Sequence, residues 1–259
     1  MSSSALFLAA RDGRADEVRN LLIGGAEINS DDATQHVTPL AIACLGGHIP
    51  CVKLLLDAMA SVNEAPAGVS PLFLACVVGS HESIPLLLDA HADINQQNSH
   101  GATPLVGAVQ EDETQCVHML IDSKADLNKN THTGATALFV ACQQGREECV
   151  SLLLDARAAV DQSNDRHRTP LWIACKHGRR EVIEMLLGAG ATVDEADDDG
   201  ATPFGVAAFN RRQDVCLMLL ECEAEPRLFH SSAEELVNVA REGAAQRKHN
   251  APRGRWDAR

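Results

Sequence analysis

Hydrophobic positions in this chain come in short helical groups, separated by polar turns, and the grouping repeats about every 33 residues. The clearest marker is a Thr-Pro-Leu tag: Thr38-Pro39-Leu40, Ser70-Pro71-Leu72, Thr103-Pro104-Leu105, Thr136-Ala137-Leu138, Thr169-Pro170-Leu171 and Thr202-Pro203-Phe204. Its second residue steps by 32, 33, 33, 33 and 33. A fixed period of this size predicts stacked supersecondary units, each burying its apolar face against its neighbours. It favours an extended binding surface over a catalytic pocket.

One period shows the elements. Thr103 is suited to cap a helix and Pro104 to open its first turn. Leu105 and Ala108 then face inward at i, i+3 spacing. A break falls at Glu111-Asp112, and the apolar spacing of Cys116, Val117, Leu120 and Ile121 predicts a second helix from Thr114 to about Asp122. Ala125-Asp126-Leu127-Asn128 leads out into a polar finger. The alanine after the second helix holds register as Ala26, Ala60, Ala92, Ala125, Ala158, Ala191 and Ala224, which gives seven units. Irregular lengths fall in the fingers: Asn29 to Thr38 is nine residues and Asn63 to Ser70 seven, against eight later. Loops tolerate such changes.

These residues resemble the ankyrin repeat family, whose T-P-L tag, mid-unit Gly and G-A-D-V-N exit match here in one register over residues 4–226. The resemblance implies an all-α fold, a solenoid of helix-turn-helix units with extended β-hairpin-like fingers. The expected organisation is a 1–230 array with units 1–33, 34–65, 66–98, 99–131, 132–164, 165–197 and 198–230. A capping helix at 231–243 and a basic, disordered tail at 244–259 follow. The last unit departs most from the pattern, with Phe204, Arg211 and Pro226-Arg227 in place of Leu, Gly and Val-Asn. The family His after Leu is replaced by Ala41, Phe73, Val106, Phe139, Trp172 and Gly205, which exchanges a hydrogen bond for packing. The Gly before the register Ala survives as Gly25 and Gly190, while Met59, His91, Lys124, Arg157 and Glu223 replace it. If that position is left-handed, each replacement costs about 1 kcal/mol.

Charge and composition narrow the function. The net charge is −14. Residues 227–259 hold seven basic against four acidic residues, a local +3, so the preceding body carries −17. An acidic body argues against general binding of nucleic acid or anionic lipid. The chain has no apolar run long enough to span a membrane and no secretory leader, which points to cytoplasm or nucleus. Seven of the nine cysteines fall at two repeat positions: Cys44, Cys76, Cys142 and Cys175 follow the tag's Ala, and Cys51, Cys116 and Cys149 share another site filled elsewhere by Val. Thiols standing where Val or Ala would serve are small buried hydrophobes.

No metal, cofactor or catalytic site is expected. His167, Cys175 and His177 lack a fourth ligand for zinc. The Asp194–Gly200 run lacks the Glu that would close an EF-hand loop, since Val206 stands there. It reads as an acidic fingertip, with Arg166 and Arg168 on the neighbouring finger able to pair across at about 0.2–1 kcal/mol if exposed.

The resemblance places partner contacts on fingertips and first-helix ends, along a concave face. The matching positions are Gln35, Val37, Leu45, Val69, Val77 and Val78 in the second and third units. The fourth and fifth supply His100, Gln110, Glu111, Thr133, Gln143 and Gln144, the sixth Arg166, Arg168, Lys176 and His177, and the seventh Asp198, Asp199 and Phe209. The expectation is a protein or peptide partner whose apolar part meets Leu45, Val77 and Val78, and whose acidic part meets the sixth unit. Asn95 and Asn29 also match the spacing that an asparaginyl hydroxylase favours in such fingers. Trp256 with its flanking arginines is a candidate linear motif. The chain reads as a monomeric scaffold or adaptor. Alternatives are a regulatory region or assembly factor acting on an enzyme, channel or larger complex. The tail shows no SOCS-box-like segment, which lowers a ubiquitin-ligase adaptor reading.

Overall fold

The structure, a computed structural model, describes residues 5–30, 37–65 and 68–222. Gln35, the capping helix and the tail with Trp256 lie outside the described residues. The described residues are all-α, with fourteen helices and no strand among them. They fall into two compact bodies, Met1–Ala159 and Val160–Arg259.

In the first body the helices come in pairs: α1 (Ala5–Arg11) with α2 (Ala15–Ile23), α3 (Pro39–Leu45) with α4 (Ile49–Asp57), α5 (Pro71–Val77) with α6 (Ser83–Asp89), α7 (Pro104–Gln110) with α8 (Thr114–Asp122), and α9 (Ala137–Gln144) with α10 (Glu147–Asp155). First helices pack on first helices in the order α1, α3, α5, α7, α9, and second helices pack α2 on α4, α4 on α6 and α8 on α10. The second body repeats the pattern with α11 (Pro170–His177), α12 (Arg180–Gly188), α13 (Pro203–Phe209) and α14 (Gln213–Glu221).

The tag explains why each first helix starts where it does. Six buried hydroxyls sit at N-caps in extended backbone, and each accepts from the amide three residues on: Thr38 from Ala41, Ser70 from Phe73, Thr103 from Val106, Thr136 from Phe139, Thr169 from Trp172 and Thr202 from Gly205, at 3.1–3.3 Å. Each bond satisfies one amide that the first helical turn leaves orphaned, at a cost of about 1 kcal/mol if lost. Leu40, Leu72, Leu105, Leu138, Leu171 and Phe204 follow the cap and are fully buried. The core therefore runs between the two helix layers of each body.

Fingers are tied to one another by side-chain amides and carboxylates. Asn29 accepts from the Ser61 amide and donates to the Ser61 hydroxyl. Asn63 then accepts from Asp93 N, Asn95 from Asp126 N and Asn128 from Ala159 N, all at 2.7–2.9 Å. In the second body Asp161 takes the same role, accepting from the amide and hydroxyl of Thr192. The finger tips fold back on themselves, as where Asn98 N donates to Ala102 O and Asn164 N to Arg168 O. Adjacent tips also join, His132 N donating to His100 O and Asp198 N to Arg166 O. These tips are turns, so the β-hairpin-like fingers read from the sequence are carried by turn hydrogen bonds rather than by strands.

Candidate functional surfaces

In the first body, the ends of α3 and α5 frame an open groove of about 370 Å³. Its lining is Leu45, Gly46, Gly47, Ile49, Val78, Gly79, Ser80, His81 and Glu82. Leu45 ends α3 and remains 40% exposed; Val78, the C-cap of α5, remains 39% exposed. The corresponding C-caps or last residues of other first helices are polar or glycine: Gly46, Glu111, Gln144, His177 and Asn210. Val78 is thus an apolar residue at a position otherwise polar or glycine. Val77 does something different. It is half-buried and lies against Gly107, where an added Cβ would come within 3.1 Å of both the Val77 methyl and the Phe73 ring. Val77 is a helix-packing residue, and Gly107 is the space it packs into. Val37 and Val69, just ahead of the caps, are half-buried.

The remaining candidates of this body are spread along it. His100 and Thr133 are exposed on adjacent fingertips, with the Thr133 hydroxyl hydrogen-bonded to that of Thr131 at 3.0 Å. Gln110, Glu111 and Gln143 are exposed at helix ends. Gln144 accepts from Arg146 Nε, and Arg146 also pairs with Asp112 at 3.1 Å, which ties the turns of neighbouring units. Asn29 and Asn95 are half-buried members of the finger ladder.

In the second body, Arg168 turns inward. Its Nε donates to Asp197 at 3.0 Å, its NH2 lies 3.6 Å from Asp199, and its guanidinium stacks 4.4 Å from the centre of the Trp172 ring. The Asp197 side chain is 1% exposed. Trp172 is buried, with its indole N–H donating to Ala201 O at 2.8 Å. His167 pairs with Asp198. The cross-finger pairing read from the sequence is therefore present through Arg168, and its contact with Asp197 is buried, while Asp198, Asp199 and His167 stay exposed. Arg166 stays exposed, and Phe209 is 61% exposed at the end of α13.

Lys176 and His177 end α11, with Lys176 5.8 Å above the Trp172 ring. The Arg179 and Arg212 caps that begin α12 and α14 join them, and all three neighbours press positive charge on the His177 ring. Arg179 and Arg212 are site residues that sequence reasoning did not select. Their signal was available: Arg146, Arg179 and Arg212 recur at the period of 33.

Eight of the nine cysteines are buried and Cys222 is exposed. Burial raises the Cys44 thiol to about 12 and Cys116 to about 11. Cys149 goes to about 12, with the Asp112 carboxylate adding to the effect. A thiolate is the reactive form. Native protein at mildly alkaline pH should therefore release one equivalent of thionitrobenzoate rapidly from Ellman's reagent, and the remaining eight only on unfolding. Several fast equivalents would show that the repeat cysteines are not core residues.

The family profile "Ankyrin repeats (3 copies)" matches residues 6–98, 79–164, 105–197 and 156–229 in overlapping spans. The crystal structure of the human ASB11 ankyrin repeat domain is similar, at 33% sequence identity and a TM-score of 0.76, covering 86% of this chain and all of that one. No helix among the described residues is long and apolar enough to cross a membrane.

Proposed function

We infer, because this chain belongs to the ankyrin repeat family, that it works by binding another protein as a scaffold or adaptor rather than by catalysis. The observation that carries this reading is the groove between α3 and α5. Two aliphatic side chains, Leu45 and Val78, stand exposed there at helix ends, and the position of Val78 is polar or glycine in the other tagged units. An apolar residue kept at a solvated position stabilises little in the free chain, and such exposed apolar surface commonly marks an interaction site. The groove rim carries exposed Glu82. In a chain of net −14, the complementary occupant is a partner segment presenting an aliphatic anchor beside a Lys or Arg.

The test is site-directed photo-cross-linking. A benzophenone amino acid at position 78 of the full chain, irradiated in cell lysate, should join the groove to one defined segment of another polypeptide, apolar with an adjacent basic residue. Leu45→Asp in the same chain should abolish that adduct while leaving the thermal melt unchanged. An adduct solely with a second copy of this chain, or one indifferent to Leu45→Asp, would overturn the reading.

A further inference from the structure

We propose that Lys176, His177, Arg179 and Arg212 form an anion seat that takes a run of carboxylates on a partner peptide, and that His177 gains a proton as the seat fills. The proposal rests on the reading above that the chain binds a protein, and names the chemistry that the second body would recognise in it.

The cluster is assembled by the repeat. α11 ends on Lys176 and His177, and Gly178 then reverses the chain in left-handed backbone at φ 69°. Arg179 follows as the cap of α12. One repeat later Arg212 caps α14 and folds back over that turn, so close that a Cβ on Gly178 would meet its Cδ at 2.9 Å. Four basic side chains are thereby gathered about one turn. Neither arginine caps its helix through its side chain, so the helices do not consume these groups. Among the described residues no carboxylate pairs with Lys176, Arg179 or Arg212. The other basic residues of this region differ: Arg168 is held by Asp197 and Asp199, and Arg180 by Glu184.

Cations gathered at one turn without a paired carboxylate repel one another. An incoming carboxylate relieves that repulsion. The cations lie on the turns of two successive repeats, which suits an extended acidic segment better than a single small anion. Nucleic acid fits poorly, because the same body presents Asp198, Asp199 and Glu195, all exposed, and the rest of the chain is strongly acidic.

His177 adds proton coupling. It is half-buried, and burial, then Lys176, Arg179 and Arg212, hold its ring below the ordinary histidine range. Those three cations are the charged groups acting on the ring. The nearest carboxylates in sequence, Glu181 and Asp214 in the first turns of α12 and α14, are not among the groups that shift it. The free ring is thus neutral near neutral pH. A bound carboxylate favours its charged form, so the complex holds the proton to higher pH than the free protein does. Affinity must then rise as pH falls through the histidine range, by up to about tenfold per pH unit between the free and bound titrations. Above the bound titration the dependence vanishes.

The experiment measures fluorescence anisotropy of a labelled octaglutamate peptide with the full chain, at about pH 7.5 and about pH 5.8, where glutamate stays largely ionised. Wild type should bind severalfold more tightly at the lower pH, and added salt should weaken binding at both. Arg179→Gln/Arg212→Gln should weaken binding about tenfold or more at both pH values, consistent with loss of two close charge partners. His177→Asn should bind as wild type does at the higher pH and lose the gain at the lower one. The ring titration of His177 followed by NMR should move upward on adding the peptide, which reads the coupling without any substitution. Leu45→Asp should leave all of this unchanged, which separates failure of the seat from failure of the groove. The proposal is overturned if the arginine pair can be neutralised without loss, if the pH gain survives in His177→Asn, or if labelled octathymidylate binds more tightly than octaglutamate.

Discussion

Arg168→Met is expected to destabilise the second body by about 3 kcal/mol, because it leaves a buried carboxylate without its cation. Oδ1 of Asp197 already accepts from the amides of Asp199 and Ala201, and Oδ2 faces Arg168 Nε. With its side chain 1% exposed, Asp197 gains nothing from water when the arginine goes. An exposed pair would cost about 0.2–1 kcal/mol instead, the figure that sequence reasoning attached to this contact. The magnitude therefore discriminates between the two descriptions. Lost stacking on Trp172 adds to the cost. The repeat offers its own control. Asn98 and Asn164 occupy the position of Asp197 and make the same paired bonds, to the amides of His100 and Ala102 and of Arg166 and Arg168. Asp197→Asn alone keeps those bonds and turns an amide N–H toward Arg168, donor against donor. The double variant Arg168→Met/Asp197→Asn removes both the charge and the conflict. It should recover about 2 kcal/mol relative to the sum of the single changes, as expected of groups in direct contact. Urea unfolding followed by Trp172 fluorescence measures all three. A single-variant loss under about 1 kcal/mol would mean that the pair behaves as a surface contact.

The periodic part of this molecule was legible because local chemistry dictates it. The Thr or Ser at each tag caps its helix, Pro104 and its equivalents open it, and the second helix of the fourth unit runs Thr114–Asp122 as its apolar spacing required. Cysteine positions were legible for the same reason, since a repeat position has one environment. What escaped depends on which neighbour a long side chain reaches. Arg168 and Arg166 read alike in sequence, yet one is half-buried against Trp172 and the other exposed. Val77 and Val78 are adjacent, yet one packs on Gly107 and the other borders a groove. Arg179 and Arg212 stand a full repeat apart in sequence and meet at His177 because helices stack. Asp112 went unnoticed as a left-handed residue, at φ 64°, although it stands where Gly79 and Gly145 stand in neighbouring units.

Left-handed backbone gives the other large effect. Met59, His91, Lys124 and Arg157 follow the second helices of four successive units with φ of 67°, 66°, 66° and 64°, where Gly25 has 79° and Gly190 86°. The strain inferred from the lost glycines is thus present at these four, and the fifth replacement, Glu223, lies outside the described residues. A side chain in this region costs about 1–2 kcal/mol through the contact of Cβ with the carbonyl. Glycine removes that cost and returns about 0.4–1 kcal/mol of it through the greater freedom of the unfolded chain. The strain exceeds the entropy, so each substitution should stabilise, by about 0.5–1 kcal/mol. Little packing opposes the gain. Each side chain is exposed, Met59 most of all, and the bond from Asn63 Nδ2 to His91 reaches the backbone carbonyl, which glycine keeps. The four sites lie one repeat apart, so their effects should nearly add. Met59→Gly/His91→Gly/Lys124→Gly/Arg157→Gly is expected to stabilise the first body by about 2–4 kcal/mol, seen as a higher urea midpoint with an unchanged slope. As a control, Ser123→Gly, one residue before Lys124 at φ −80°, should lower stability instead, because glycine there adds unfolded-state freedom and relieves nothing. Equal behaviour of the control and the four left-handed sites would mean that the strain is not stored in these turns.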